Sequence, residues 1–146
     1  MHANLNLVYM VRRAFSANGH LREARMLRDS DDSVVLLLHS FVMQLFFERD
    51  HISVVCHDRL NRGVGYYPLE HLMSHRRDRI TFPGNDGVER DMIQRYQDEL
   101  TAIVRIFEQA GPDILAGDRE WLKEYTDFLV PLPADLRPYM EDEVWR

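Results

Sequence analysis

The segment from Ser33 to Asp58 constrains this chain more than any other. It concentrates β-branched and aromatic residues (Val34, Val35, Phe41, Val42, Phe46, Phe47, Ile52, Val54 and Val55), and a charged break, Glu48-Arg49-Asp50-His51, divides it. Such side chains favour a pleated, half-buried surface, and a polar break between two such runs reverses the chain. Paired strands follow, and an all-helical fold is excluded. Residues 33–40 and 41–48 read as strands with a bend or bulge near His39 and Ser40, since one unbroken strand of that length would be unusual. Residues 52–57 return as the next strand.

The flanking sequence supplies helices. Leu5, Val8, Tyr9 and Phe15 lie at helix-like spacings, predicting a helix over 4–17, and Asn18-Gly19 predicts its stop. Residues 21–28 suit a helix by their Arg, Glu, Ala and Met content and equally an exposed edge strand leading into the turn Asp29-Ser30-Asp31-Asp32, and the strand is the preferred reading. After a loop over 58–65, Tyr66 and Tyr67 add a short strand. Pro68 then opens a helix over 69–74, because a proline at the first helical position forfeits no hydrogen bond. Residues 75–87 read as a linker ending in the turn formers Pro83-Gly84-Asn85-Asp86-Gly87. Met92, Tyr96, Leu100, Ile103 and Phe107 hold a 3.6-residue period that predicts a long helix over 88–110, ended by Gly111-Pro112. Another helix is expected over 119–128, with Asp118 as its cap. The tail from Val130 carries Pro131, Pro133 and Pro138 but also Tyr139, Met140 and Trp145, and is expected to pack on the body.

These elements predict one α+β domain over 1–146: sheet-rich to 74, a linker over 75–87, helical over 88–129, and a proline-containing tail over 130–146. The sheet is expected to be small and mainly antiparallel, with three to five strands. An N-terminal helix and the C-terminal helical half would pack on one face, leaving the other face or an edge for a partner.

Charge narrows the choice of partner. The net charge is −6, unevenly spread. Residues 1–79 carry 11 Arg against 9 Asp plus Glu, whereas residues 80–146 carry 7 basic residues against 15 acidic ones. Phosphate binding needs the opposite sign, so direct nucleic-acid binding is not expected, and a basic protein partner is. Cys56 is the one cysteine, which excludes an intrachain disulfide framework. The first residues lack a basic and then apolar leader, and no apolar run reaches the roughly 20 residues of a membrane helix. The expectation is a cytoplasmic protein with no membrane association.

No group of residues has the spacing of a strong catalytic motif. Cys56-His57-Asp58 suggests a nucleophile, but neighbours on a strand point to opposite faces. His71 and His75 are four apart on a helix and share a face; a metal site there would need further ligands such as His57 or Asp58. Gly63-Val64-Gly65 lacks the third glycine of a dinucleotide fingerprint. The cluster His75-Arg76-Arg77-Asp78-Arg79 reads as a solvated loop. The chain is therefore expected to be no enzyme and to need no cofactor. The expected partner contacts are the hairpin tip (Glu48, Arg49, Asp50) and a wet face of the long helix (Asp91, Asp98, Glu99, Glu108).

Three stretches resemble small α+β immunity proteins of bacterial polymorphic toxin and contact-inhibition systems. They are residues 45–55 around Glu48-Arg49-Asp50, the strand-to-helix step from Tyr67 and Pro68 to Leu72, and Ile114-Leu115-Ala116-Gly117-Asp118. The resemblance implies a non-enzymatic cytoplasmic protein that neutralises a cognate toxin, such as a basic nuclease domain, by binding it. Such families share no binding motif, so no functional residue carries over. The alternatives are an accessory protein binding a small ligand or metal through His57, His71 and His75, and a homodimeric scaffold joined through a strand edge.

Overall fold

A computed structural model describes residues 6–38, 40–49, 51–59, 64–75, 92–118, 120–121 and 129–131. Helix α1 (Leu7–Phe15) starts where the Asn6 side chain accepts from the Tyr9 N–H at 2.9 Å. It is shorter than the expected 4–17. Asn18-Gly19 does not close it. Asn18 Oδ1 instead accepts from the N–H groups of His20 and Leu21 and opens a second short helix, α2 (Gly19–Arg22). The expected edge strand at 21–28 thus divides, its first residues joining α2 and its remainder forming β1 (Arg25–Ser30).

Among the described residues, the sheet is an antiparallel meander of six strands in chain order. It comprises β1, β2 (Ser33–Leu37), β3 (Phe41–Phe47), β4 (Ile52–Asp58), β5 (Val64–Tyr66) and β6 (Leu129–Pro131). The expected bend at 39–40 is a complete reversal: β2 pairs with β3 from Leu37↔Val42 to Ser33↔Phe46, and the Leu38 N–H donates to the Phe41 carbonyl. The break at 48–51 reverses the chain as expected, with the Glu48 N–H donating to the His51 carbonyl at 2.9 Å. The sixth strand comes from the proline-containing tail, so the sheet exceeds the expected three to five strands. Among the described residues β6 is an edge strand, a place where the missing N–H of Pro131 costs no ladder bond. At the opposite edge, β1 carries a register irregularity between Arg28 and Ser30, a feature that discourages edge-to-edge pairing.

Strand alternation sorts the sheet into two faces. Val34, Leu36, Phe41, Met43, Leu45, Phe47, Ile52, Val54, Cys56 and Tyr66 join the main core. Onto this face pack α1, α3 (Pro68–His75) and α4 (Met92–Ala110), which contribute Leu7, Val11 and Phe15, then Leu69 and Leu72, then Tyr96, Leu100, Ile103 and Phe107. Trp121 completes the core, edge-on to Phe41 and Tyr66 at ring separations of 6.1 and 6.0 Å. The second face is also buried. Ser33, Val35, Leu37, Val42, Gln44, Ser53, Val55 and His57 are all shielded within the chain. The central strands therefore offer no open face to a partner.

One further boundary differs from expectation, and two others fall on residues outside those described. His75 ends α3 rather than starting a linker, and the linker residues 76–87 lie outside the described residues. The long helix is seen as α4 from Met92, with 88–91 outside the described residues. Behind Asp118, whose Oδ1 accepts from the Glu120 N–H at 2.9 Å, only a turn at 120–121 is described, and 122–128 lie outside. Between them α5 (Pro112–Leu115) ends in a glycine stop. Gly117 takes φ 87°, its N–H donates to the Ile114 carbonyl, and the Asp118 N–H donates to the Asp113 carbonyl.

Candidate functional site at the β3–β4 hairpin

The hairpin end is where charged side chains stay exposed on a fixed backbone. Glu48 and His51 form the closing pair of the turn. Ile52 follows, opposite Phe47, at a position where its own N–H turns away from β3. Among the described residues, β5 reaches β4 at Cys56 and His57, and no strand meets that N–H. Glu99 meets it instead: Oε1 accepts from the Ile52 N–H at 3.3 Å, and the residue is 3% exposed. Three residues earlier on α4, the Tyr96 hydroxyl donates to the Glu48 carbonyl at 2.9 Å. The Tyr96 ring stands edge-on to Phe47 at 5.0 Å. Burial, assisted by Asp32 and Glu99 and opposed by Arg95, pushes the Tyr96 hydroxyl up to about 12. It therefore remains a donor at any physiological pH. One turn of helix thus grips the hairpin at both of its arms.

The gripped tip carries an electrostatic group. Glu48 Oε2 lies 2.8 Å from His51 Nε2, with both side chains about half exposed (49% each). The same ring nitrogen is 3.1 Å from Ser53 Oγ. Glu70, exposed on α3, feels both: burial raises its carboxyl, Glu48 raises it further, and His51 lowers it. Tyr67 is raised by burial and then by Glu70 and Glu48. Arg49 is exposed beside them.

The expected contact residues divide under this geometry. Glu48 and Arg49 sit at the tip as expected, whereas Asp50 and Asp91 lie outside the described residues. Asp98 is half-buried on α4 and accepts from Gln94 Nε2 at 3.0 Å. Glu108 is exposed and accepts from Asn18 Nδ2 at 3.2 Å, linking α4 to the start of α2. Glu99 does not belong to a wet face; it is turned inward to serve the Ile52 N–H. Tyr96, Tyr67, Ser53 and Glu70 were not foreseen as members of this group. For Glu99 the sequence did hold a signal, because 92, 96, 99 and 103 continue one helical stripe.

The three histidines named as an alternative ligand set do not lie on one face of the sheet. His57 projects from β4 on the face opposite Cys56, whereas α3, which carries His71 and His75, packs on the Cys56 face. The sheet stands between them. The side chains of His71 and His75 lie outside the described residues. Among the described residues, no group of three or more His, Cys, Asp or Glu is placed to hold a metal ion. Cys56 is equally unsuited to nucleophilic work: it is fully buried and burial drives its thiol far up, away from the reactive thiolate.

No protein-family model, curated protein or solved structure matches this chain. Among the described residues, no helix is long and apolar enough to cross a membrane.

Proposed function

We propose that this chain is a non-enzymatic protein-binding protein whose contact surface is the β3–β4 hairpin tip. The observation that carries this reading is the grip of Tyr96 and Glu99 on a turn whose charged side chains remain in water. A fixed backbone lowers the ordering cost of association, and Glu48, Arg49 and Glu70 offer charges that set register and speed encounter. Both faces of the central strands are buried and both sheet edges are blunted, which favours the tip over the sheet as the contact. The same blunted edges weigh against a homodimeric scaffold.

In its most specific form the proposal is toxin neutralisation in the cytoplasm, by an immunity protein that binds a basic toxin domain. The acidic balance of residues 80–146 supports that choice of partner. The test is affinity capture from the native cells at low and high salt, followed by sedimentation of the captured pair. A one-to-one complex weakened by salt and by Glu48→Lys, with the melting temperature unchanged, is the expected result. A complex indifferent to Glu48→Lys, to Arg49→Glu and to salt would place the contact elsewhere and overturn the reading.

A further inference from the structure

A buried imidazole on the second face of the sheet lies apart from the hairpin site. His57 is 1% exposed, and neither ring nitrogen has a hydrogen-bond partner among the described residues. Its ring lies directly on the backbone of Gly65, where an added Cβ would fall 2.5 Å from both Cε1 and Nδ1. Among the described residues, β5 joins β4 at Cys56↔Tyr66 and His57↔Gly65, and β6 joins β5. The ring therefore sits at one of the two described pairings between the last two strands and the rest of the sheet.

We propose that His57 is an acid-operated latch: charging its ring releases β5 and β6 from β4 while the longer strands and the helices stay folded. A protonated imidazole needs two acceptors or water, and it has neither acceptor among the described residues. Among the described residues, the groups facing it from β3 are Val42 and Gln44, and from β5 Gly65; none of these titrates. On its own strand Asp58 belongs to the opposite face, and Arg59, two residues on, carries a like charge. Burial accordingly lowers the His57 pKa from 6.5 to about 4. Water reaches the ring most cheaply by lifting β5, a three-residue strand. The β2–β3 and β3–β4 ladders run the length of their strands and resist. Leu69 and Leu72 seat α3 in the core, where it packs on β4 and α4.

The test is amide hydrogen exchange on the full chain between pH 7 and pH 5, corrected for intrinsic exchange rates. Opening of the β5 and β6 amides (Val64–Tyr66, Leu129 and Val130) is expected to rise about 20-fold, from the two pKa values by linkage. Amides of β2 and β3 are expected to keep their protection, and His57→Leu to remove the pH dependence. If His57→Leu does not fold, the wild-type ring can be followed by NMR, and its protonation is expected to track the loss of β5–β6 protection. Loss of protection throughout the sheet together, no change down to pH 5, the same change in His57→Leu, or ring protonation without opening would each overturn the latch.

Discussion

Gly65→Ala is the sharpest single probe of the packing beneath β5. Gly65 has no positive φ, so its backbone suits alanine and the glycine is there for space alone. The new methyl would sit 2.5 Å from the His57 ring and 3.1 Å from Val55 Cγ1. The first distance is far inside contact, and the ring is fully enclosed, so something must shift. Overpacking of this kind costs about 1–3 kcal/mol. Against it stands the gain from a stiffer unfolded chain, about 0.4–1 kcal/mol. The net expectation is a loss of about 1–2 kcal/mol. In a His57→Ala background the 2.5 Å collision disappears and only the 3.1 Å contact with Val55 opposes the gain, so the same substitution should cost far less than in the wild type. A double-mutant cycle by urea denaturation at pH 7, read by circular dichroism with unchanged m values, measures this directly. Equal destabilisation by Gly65→Ala in both backgrounds would refute the steric reasoning.

Three other substitutions test neighbouring claims. Glu99→Ala should cost about 1–3 kcal/mol by leaving the Ile52 N–H without its acceptor, and Glu99→Gln should cost less because an acceptor remains; equal losses in chemical denaturation would count against the hydrogen bond. Gly117→Ala should cost about 1–2 kcal/mol, since φ is 87° and a Cβ would also press on Ser40 Oγ at 3.1 Å; an unchanged melting temperature would contradict this. Trp121→Ala should cost about 3–5 kcal/mol by emptying the space beside Phe41 and Tyr66, and a loss below 1 kcal/mol would show that this side chain is not part of the core.

The α+β architecture was legible because β-branched runs and a helical stripe carry opposite periods. The 48–51 reversal was legible because it is charged. The reversal at His39 and Ser40 was not, since it has no glycine, asparagine or proline to announce a turn. Asn18-Gly19 looked like a helix stop, yet the Asn18 side chain makes the same pair of residues a helix start. β6 was hidden because Leu129, Val130 and Pro131 are too few to show a period and need a partner far along the chain. At the site, residue type outweighed position: the stripe through Met92, Tyr96 and Ile103 passes through residue 99, but a glutamate there reads as solvated until its buried N–H partner is seen. Ile114-Leu115-Ala116-Gly117-Asp118, one of the stretches behind the immunity-protein resemblance, is a glycine-terminated helix end.

The pairing of β5 with β6 also fixes an order of assembly. The hairpins from β1 to β4 join neighbours only a few residues apart, so they close early and at little entropic cost. Tyr66 must wait for Leu129, about sixty residues further on, with α3, α4 and α5 between them. On the ribosome the nascent sheet would present β5 as a bare edge throughout that interval. The short span of that edge, three residues, limits the time-dependent risk of mispairing with another nascent chain.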